Sequence, residues 1–151
     1  MQLLLDTHTF IWWMTNDGAL PATMRKAIAD ETNPVFLSAA SAWEMTIKHR
    51  TGKLPVVAGF IADVPSAIED QGFIELPISI LHGQMAGALD GHHKDPFDRM
   101  LIAQALAESG EVSKAVFLTP AQPKGCAAIG LSVAWTFFNV ILSQDRKKAH
   151  K

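Results

Sequence analysis

Short apolar runs alternate with stretches of helical spacing along the first two-thirds of the chain. Leu3-Leu4-Leu5 is an apolar run that stops at a carboxylate, Asp6, and predicts a buried strand. His8 to Met14 places Phe10, Ile11 and Met14 on one side of a helix. Asn16-Asp17-Gly18 signals a turn, and Pro21 stands where a first helical residue is tolerated. Met24, Ala27 and Ile28 extend that helix to about Asp30. After the Asn33-Pro34 break, Val35-Phe36-Leu37 reads as a second buried strand. Ser38 or Ser41 is the expected cap of a helix through Trp43, Ile47 and Lys48 to Gly52.

The pattern then predicts a helix over Phe60 to Gln71, a strand at Phe73 to Leu76 and a helix over Ile78 to Leu89. Gly91 to Lys94 reads as a loop, Phe97 to Glu108 as a helix, and Lys114 to Leu118 as a fourth strand. Strands alternating with helices imply an α/β fold with a parallel sheet covered on both faces. From Glu111 the pattern changes: Pro120, Pro123 and Gly125 precede a run rich in aromatic and β-branched residues.

The length of 151 residues fits one domain that buries roughly two-thirds of its unfolded surface. One cysteine, Cys126, leaves no internal disulfide and fits a reducing, cytoplasmic setting. A net charge of -2 excludes a strongly basic nucleic-acid coat, so any such contact is local or carried through cations. The Met1 to Asp6 segment lacks the basic start of a signal peptide. The apolar run from Ala127 to Leu142 falls short of the roughly 20 residues a spanning helix needs, so no membrane partner is expected.

The candidate chemistry lies in acids at element ends. In a parallel α/β sheet the strand carboxyl ends open into one crevice. Asp6 ends the first strand, Glu44 lies one to two turns into the helix after the second, and Asp98 lies in the first turn of a later helix. Bare carboxylates gathered there raise one another's pKa, and a divalent cation removes the conflict. Hard oxygen ligands select Mg²⁺ or Mn²⁺, which polarises a phosphate and activates a water; two ions about 3.5–4 Å apart clamp both reacting oxygens.

Each acid also has a plainer role open to it. Asp6 can cap the following helix, Glu44 can be a solvated acid favoured by the macrodipole, and Asp95 before Pro96 is well placed as an N-cap. His92 and His93 lack the spacing of a zinc site and read as loop histidines near a phosphate. Trp12, Trp13 and Trp43 fit packing better than base stacking. Lys48, Lys53, Lys94 and Arg99 offer phosphate contacts or ordinary surface charge, and Arg99 can instead pair with Asp98.

Four segments carry a family resemblance: Leu4 to His8, Ser38 to Glu44, Lys48 to Leu54, and His93 to Ala105 with its Asp95-Pro96-Phe97-Asp98-Arg99 core. In order, spacing and flanking residues they resemble the PIN-domain ribonucleases, and within them the VapC-like toxins of type II toxin–antitoxin systems. The resemblance implies a three-layer α/β/α fold with a central parallel sheet of about four to five strands. It implies a nuclease domain over residues 1–118, with 119–151 as a divergent segment. It also implies Mg²⁺- or Mn²⁺-dependent RNA hydrolysis leaving a 5′-phosphate and a 3′-hydroxyl, a cognate antitoxin partner, and a homodimer. By position, Asp6, Glu44 and Asp98 match the family's first three catalytic acids, and Asp95 an extra acid that binds metal or buttresses the helix. Arg99, His93, Lys94 and Lys48 are the expected substrate-positioning residues.

The last third departs from that pattern. Lys114 stands roughly where a fourth acid belongs, no acid follows until Asp145, and the closing strand is not recognisable in Ala121 to Lys151. The departure sets up an alternative: a catalytically impaired antitoxin-binding domain whose metal site is incomplete.

Overall fold

A computed structural model describes residues 2–89, 95–109 and 115–118, the last group as backbone. Strand β1 (Gln2–Leu5) lies between β2 (Val35–Ser38) and β4 (Ala115–Leu118), with β3 (Ile74–Leu76) beyond β2, and every pairing is parallel. In register, Leu5 faces Leu37 on one side and Leu118 on the other. A strand flanked on both sides and covered on both faces has no solvent side, which is why β1 is an unbroken leucine run rather than an alternating one.

Alternation along β1 sends Leu3 and Leu5 to one face of the sheet and Leu4 to the other. Leu3 and Leu5 join a core with Phe10 and Ile11 of helix α1 (Thr7–Met14) and Met24 and Ile28 of α2 (Ala22–Ala29). Met45 of α3 (Ala39–Arg50) and Ile68 of α4 (Val64–Glu69) complete it. Leu4 is buried outside that cluster, as are Ala86 of α5 (Ile80–Ala88) and Leu101 and Ala103 of α6 (Pro96–Ser109). Two helical layers therefore sandwich the parallel sheet, giving the three-layer α/β/α architecture.

Local differences from the sequence pattern have identifiable causes. The single helix expected over Phe60 to Gln71 is a short 3₁₀ segment, Ile61–Asp63, followed by α4, and another 3₁₀ segment, Pro55–Gly59, precedes it. Pro65 cannot sit inside a longer helix, because it lacks an N–H and clashes with the preceding turn. The α-helix begins just before it instead, capped by Asp63, whose carboxylate accepts from the Ser66 N–H at 3.1 Å. Pro21 is the extended residue before α2 rather than its first residue. Helix α5 starts at Ile80, two residues later than expected, because Ser79 and His82 form a reciprocal capping box there. Gly52 follows α3 with φ +73°, the left-handed turn that favours glycine after a helix. The run from Ala127 to Leu142 lies outside the described residues, and among the described residues no helix is long and apolar enough to cross a membrane.

Candidate active site

The strand order β3-β2-β1-β4 fixes where a ligand crevice opens. The chain leaves β1 toward β2 and β3, then returns to place β4 on the opposite flank of β1. That reversal makes the carboxyl end of β1 the switch point of the sheet. Asp6 is the residue that follows it.

Asp6 takes the N-cap position of α1 with extended backbone, yet its side chain makes no capping hydrogen bond. Its carboxyl is buried, with 8% of its surface exposed. Burial first, then the charges of Asp98 and Glu44, push its pKa up to about 7, against a smaller opposing pull from the nearby amides of Thr7 and His8. Three acids from three remote segments therefore feel one another, and Asp6 suffers most from the crowding.

Glu44 is held in the second turn of α3. Ser38 starts that helix, its Oγ accepting from the Ala40 N–H at 3.0 Å. The other candidate cap, Ser41, is a buried helix residue whose Oγ makes no hydrogen bond among the described residues. Glu44 is buried and both of its oxygens are engaged: Thr7 Oγ1 donates to Oε2 at 2.5 Å, and Lys48 Nζ pairs with Oε1 one turn further on. Lys48 thus faces Glu44 rather than standing free for a phosphate.

Asp98 lies in the first turn of α6 and is exposed. Asp95 caps this helix, its Oδ1 accepting from the N–H groups of Phe97 at 2.8 Å and Asp98 at 3.4 Å. The Arg99 side chain lies against the end of α5. Its Nε donates to the Ala86 carbonyl at 2.9 Å, and Nη2 to those of Gly87 at 3.2 Å and Leu89 at 2.6 Å. These are the orphan carbonyls at the end of α5, so Arg99 pins the start of α6 to that helix end. His93 and Lys94 lie outside the described residues.

Several working residues were missed in the sequence. Thr7 orients Glu44, and the exposed His8 ring sits 3.9 Å from Asp6 Oδ2. Burial and the Lys48 charge lower the His8 pKa, against opposing pulls from Glu44 and Asp95, which places all four residues in one neighbourhood. The fully buried Gln104 ties the layers together: Ser38 Oγ donates to its Oε1 at 2.5 Å, and its Nε2 donates to the Pro77 carbonyl at 3.1 Å. Thr7 and His8 directly follow Asp6 and Gln104 follows Asp98 by under two turns, so adjacency to the acids was the available signal. Trp12 and Trp13 pack on the core as expected, but Trp43 is 60% exposed, its ring meeting Phe97 edge-on at 5.1 Å beside Glu44 and Asp98.

Among the described residues no three acids or histidines are already arranged to close on one metal ion. The donor set nevertheless fits a hard cation: a carboxyl pushed up to about pKa 7 by burial and then by two anionic neighbours is relieved by positive charge.

A PIN-domain family model matches residues 3–114, most of the chain, and takes in every element named above except β4 and the first residue of β1. The chain belongs to the PIN-domain family. Over 62 residues it is 39% identical to Ribonuclease VapC16 of Mycobacterium tuberculosis (strain ATCC 25618 / H37Rv), a stretch covering 41% of this chain and 43% of that relative.

Proposed function

We propose that this protein is a divalent-cation-dependent endoribonuclease of the VapC kind, the toxin of a type II toxin–antitoxin pair. The observation that carries the reading is the electrostatic convergence of Asp98 and Glu44 on the buried Asp6 at the switch point of the sheet. Membership of the PIN-domain family and likeness to a protein named as a ribonuclease support it.

In this reading Asp6 and Asp98 hold Mg²⁺ or Mn²⁺ with the Glu44 charge beside them, and Asp95 buttresses the helix that presents Asp98. Such a cation supplies charge that polarises a phosphodiester and makes a water acidic enough to attack it. The chain's own groups do the rest. Asp6 sheds its proton as positive charge arrives, Thr7 keeps Glu44 aimed, and His8 at the mouth offers an imidazole to the RNA backbone. Trp43 gives a single-stranded base an aromatic face close to the acids. Ile74, Ile78, Ile80 and Leu81, exposed along β3 and the start of α5, offer apolar surface to an antitoxin or a second copy. A cytoplasmic location follows from the same reading.

The test is cleavage of single-stranded RNA with Mn²⁺. Wild type is expected to cut, with activity lost in Asp6→Asn and in chelator. A full-length, folded protein that never cuts with Mn²⁺ overturns the proposal. One observation favours a second reading, an antitoxin-binding domain with impaired catalysis: Glu44 is already satisfied by Thr7 and Lys48. The fourth-acid position, read as Lys114, lies outside the described residues. Absence of Mn²⁺ binding alongside retained antitoxin binding would select that reading.

A further inference from the structure

On the nuclease reading, a lysine also sits at the acids. Glu44 and Lys48 lie one turn apart on α3, so their pairing is built into the helix and needs no other element to move. The Glu44 side chain is 8% exposed and that of Lys48 34%, so the ammonium enters a mostly dry site. Lys48 is also felt by His8, which lies beside Asp6, so its charge reaches the mouth of the crevice and not only its own helix. Thr7 closes the other oxygen of Glu44. Asp6, by contrast, meets only the smaller pull of the Thr7 and His8 amides against its burial and the charges of Asp98 and Glu44.

We propose that Lys48 is a built-in cation of this site: its ammonium stays on Glu44, and the cluster takes one divalent ion, on the side of Asp6 and Asp98. The charge balance agrees. Asp6, Glu44 and Asp98 carry three negative charges when ionised, and one ammonium with one divalent ion neutralises them. Lys48 is therefore a positioning residue. It fixes the stoichiometry of the metal and the place where the metal sits, without touching the reacting atoms.

Calorimetric titration of the full-length chain with Mn²⁺ tests this without reference to activity. Wild type is expected to bind one ion per chain. Lys48→Met removes the charge at nearly constant length and strands a buried carboxylate, which then recruits a cation. This variant is expected to bind two ions. Lys48→Gln serves the same purpose should the Met variant not fold. Lys48→Arg keeps the charge and is expected to return to one ion. Two ions in wild type, one ion in both neutral variants, or two in the Arg variant overturns the assignment while leaving the nuclease reading in place. No Mn²⁺ binding by wild type overturns both.

Discussion

Two polar clusters lie near the carboxyl ends of the strands, and they are satisfied to very different degrees. Gln104, Ser38 and the Pro77 carbonyl form a closed set in which each donor has an acceptor and no net charge is present. Asp6, Glu44 and Asp98 form an open set in which one buried acid is destabilised by the other two. Both sets lie on the same helices: α3 carries Glu44 and is capped by Ser38, and α6 carries both Asp98 and Gln104. A neutral, fully paired network specifies how the layers sit. An acid cluster held in conflict costs stability and is retained where a ligand relieves it. The closed set holds the open one in place.

If the two clusters differ in this way, they should respond oppositely to perturbation. The largest effect concerns pH. In the fold Asp6 keeps its proton up to about pH 7, whereas in the unfolded chain it loses it near 3.8. Between those values folded Asp6 binds more protons than unfolded Asp6, so its contribution to stability falls as pH rises through that window and is constant outside it. For the metal-free protein the loss approaches roughly 4 kcal/mol. Denaturant unfolding at pH 4 and pH 8 should show it, and Asp6→Asn should flatten the curve and be the more stable protein at pH 8. A slope unchanged by that substitution would remove Asp6 as its source.

The same Asp6→Asn change should lower Mn²⁺-dependent RNA cleavage by more than about 100-fold, beyond what losing an outer partner of a metal ligand costs. Initial-rate measurements at saturating RNA would check this. The closed set predicts the reverse pattern. Gln104→Leu fills the same space but leaves the Pro77 carbonyl and the Ser38 hydroxyl without their partner, and should destabilise by about 2–3 kcal/mol at every pH. If chemical denaturation shows Gln104→Leu to be neutral, Gln104 does not hold the layers. Arg99→Met should cost about 1–2 kcal/mol by releasing the carbonyls that end α5. It should also raise hydrogen exchange in the first turn of α6, which an unaltered exchange pattern would refute.

How much of this was legible in the sequence follows from the range of each interaction. β1, β2, α1, α3 and α6 were readable because their signals are local: apolar runs, helical spacing, Ser38 before Ala39 and Asp95 before Pro96. The helix that hydrophobic spacing predicts over 60–71 gives way at Pro65, where backbone chemistry prevails over periodicity. The acids stood out because each lies at or within two turns of an element's start or end, and parallel topology sends those ends to one edge. Side-chain pairings were not readable. Ser38 and Gln104 are 66 positions apart, and no periodicity encodes that bond. Arg99 looked like a phosphate ligand beside an acid, but its length reaches the end of α5, which only the packing of α5 on α6 reveals.

The central claim is that Asp6 and Asp98 share a divalent ion. Anomalous diffraction from crystals grown with Mn²⁺ tests it most directly. The account predicts a manganese peak within normal coordination distance, about 2.0–2.6 Å, of a carboxylate oxygen from each of the two residues. Well-ordered Asp6 and Asp98 side chains with no peak between them at saturating Mn²⁺, or a peak held elsewhere, would contradict it.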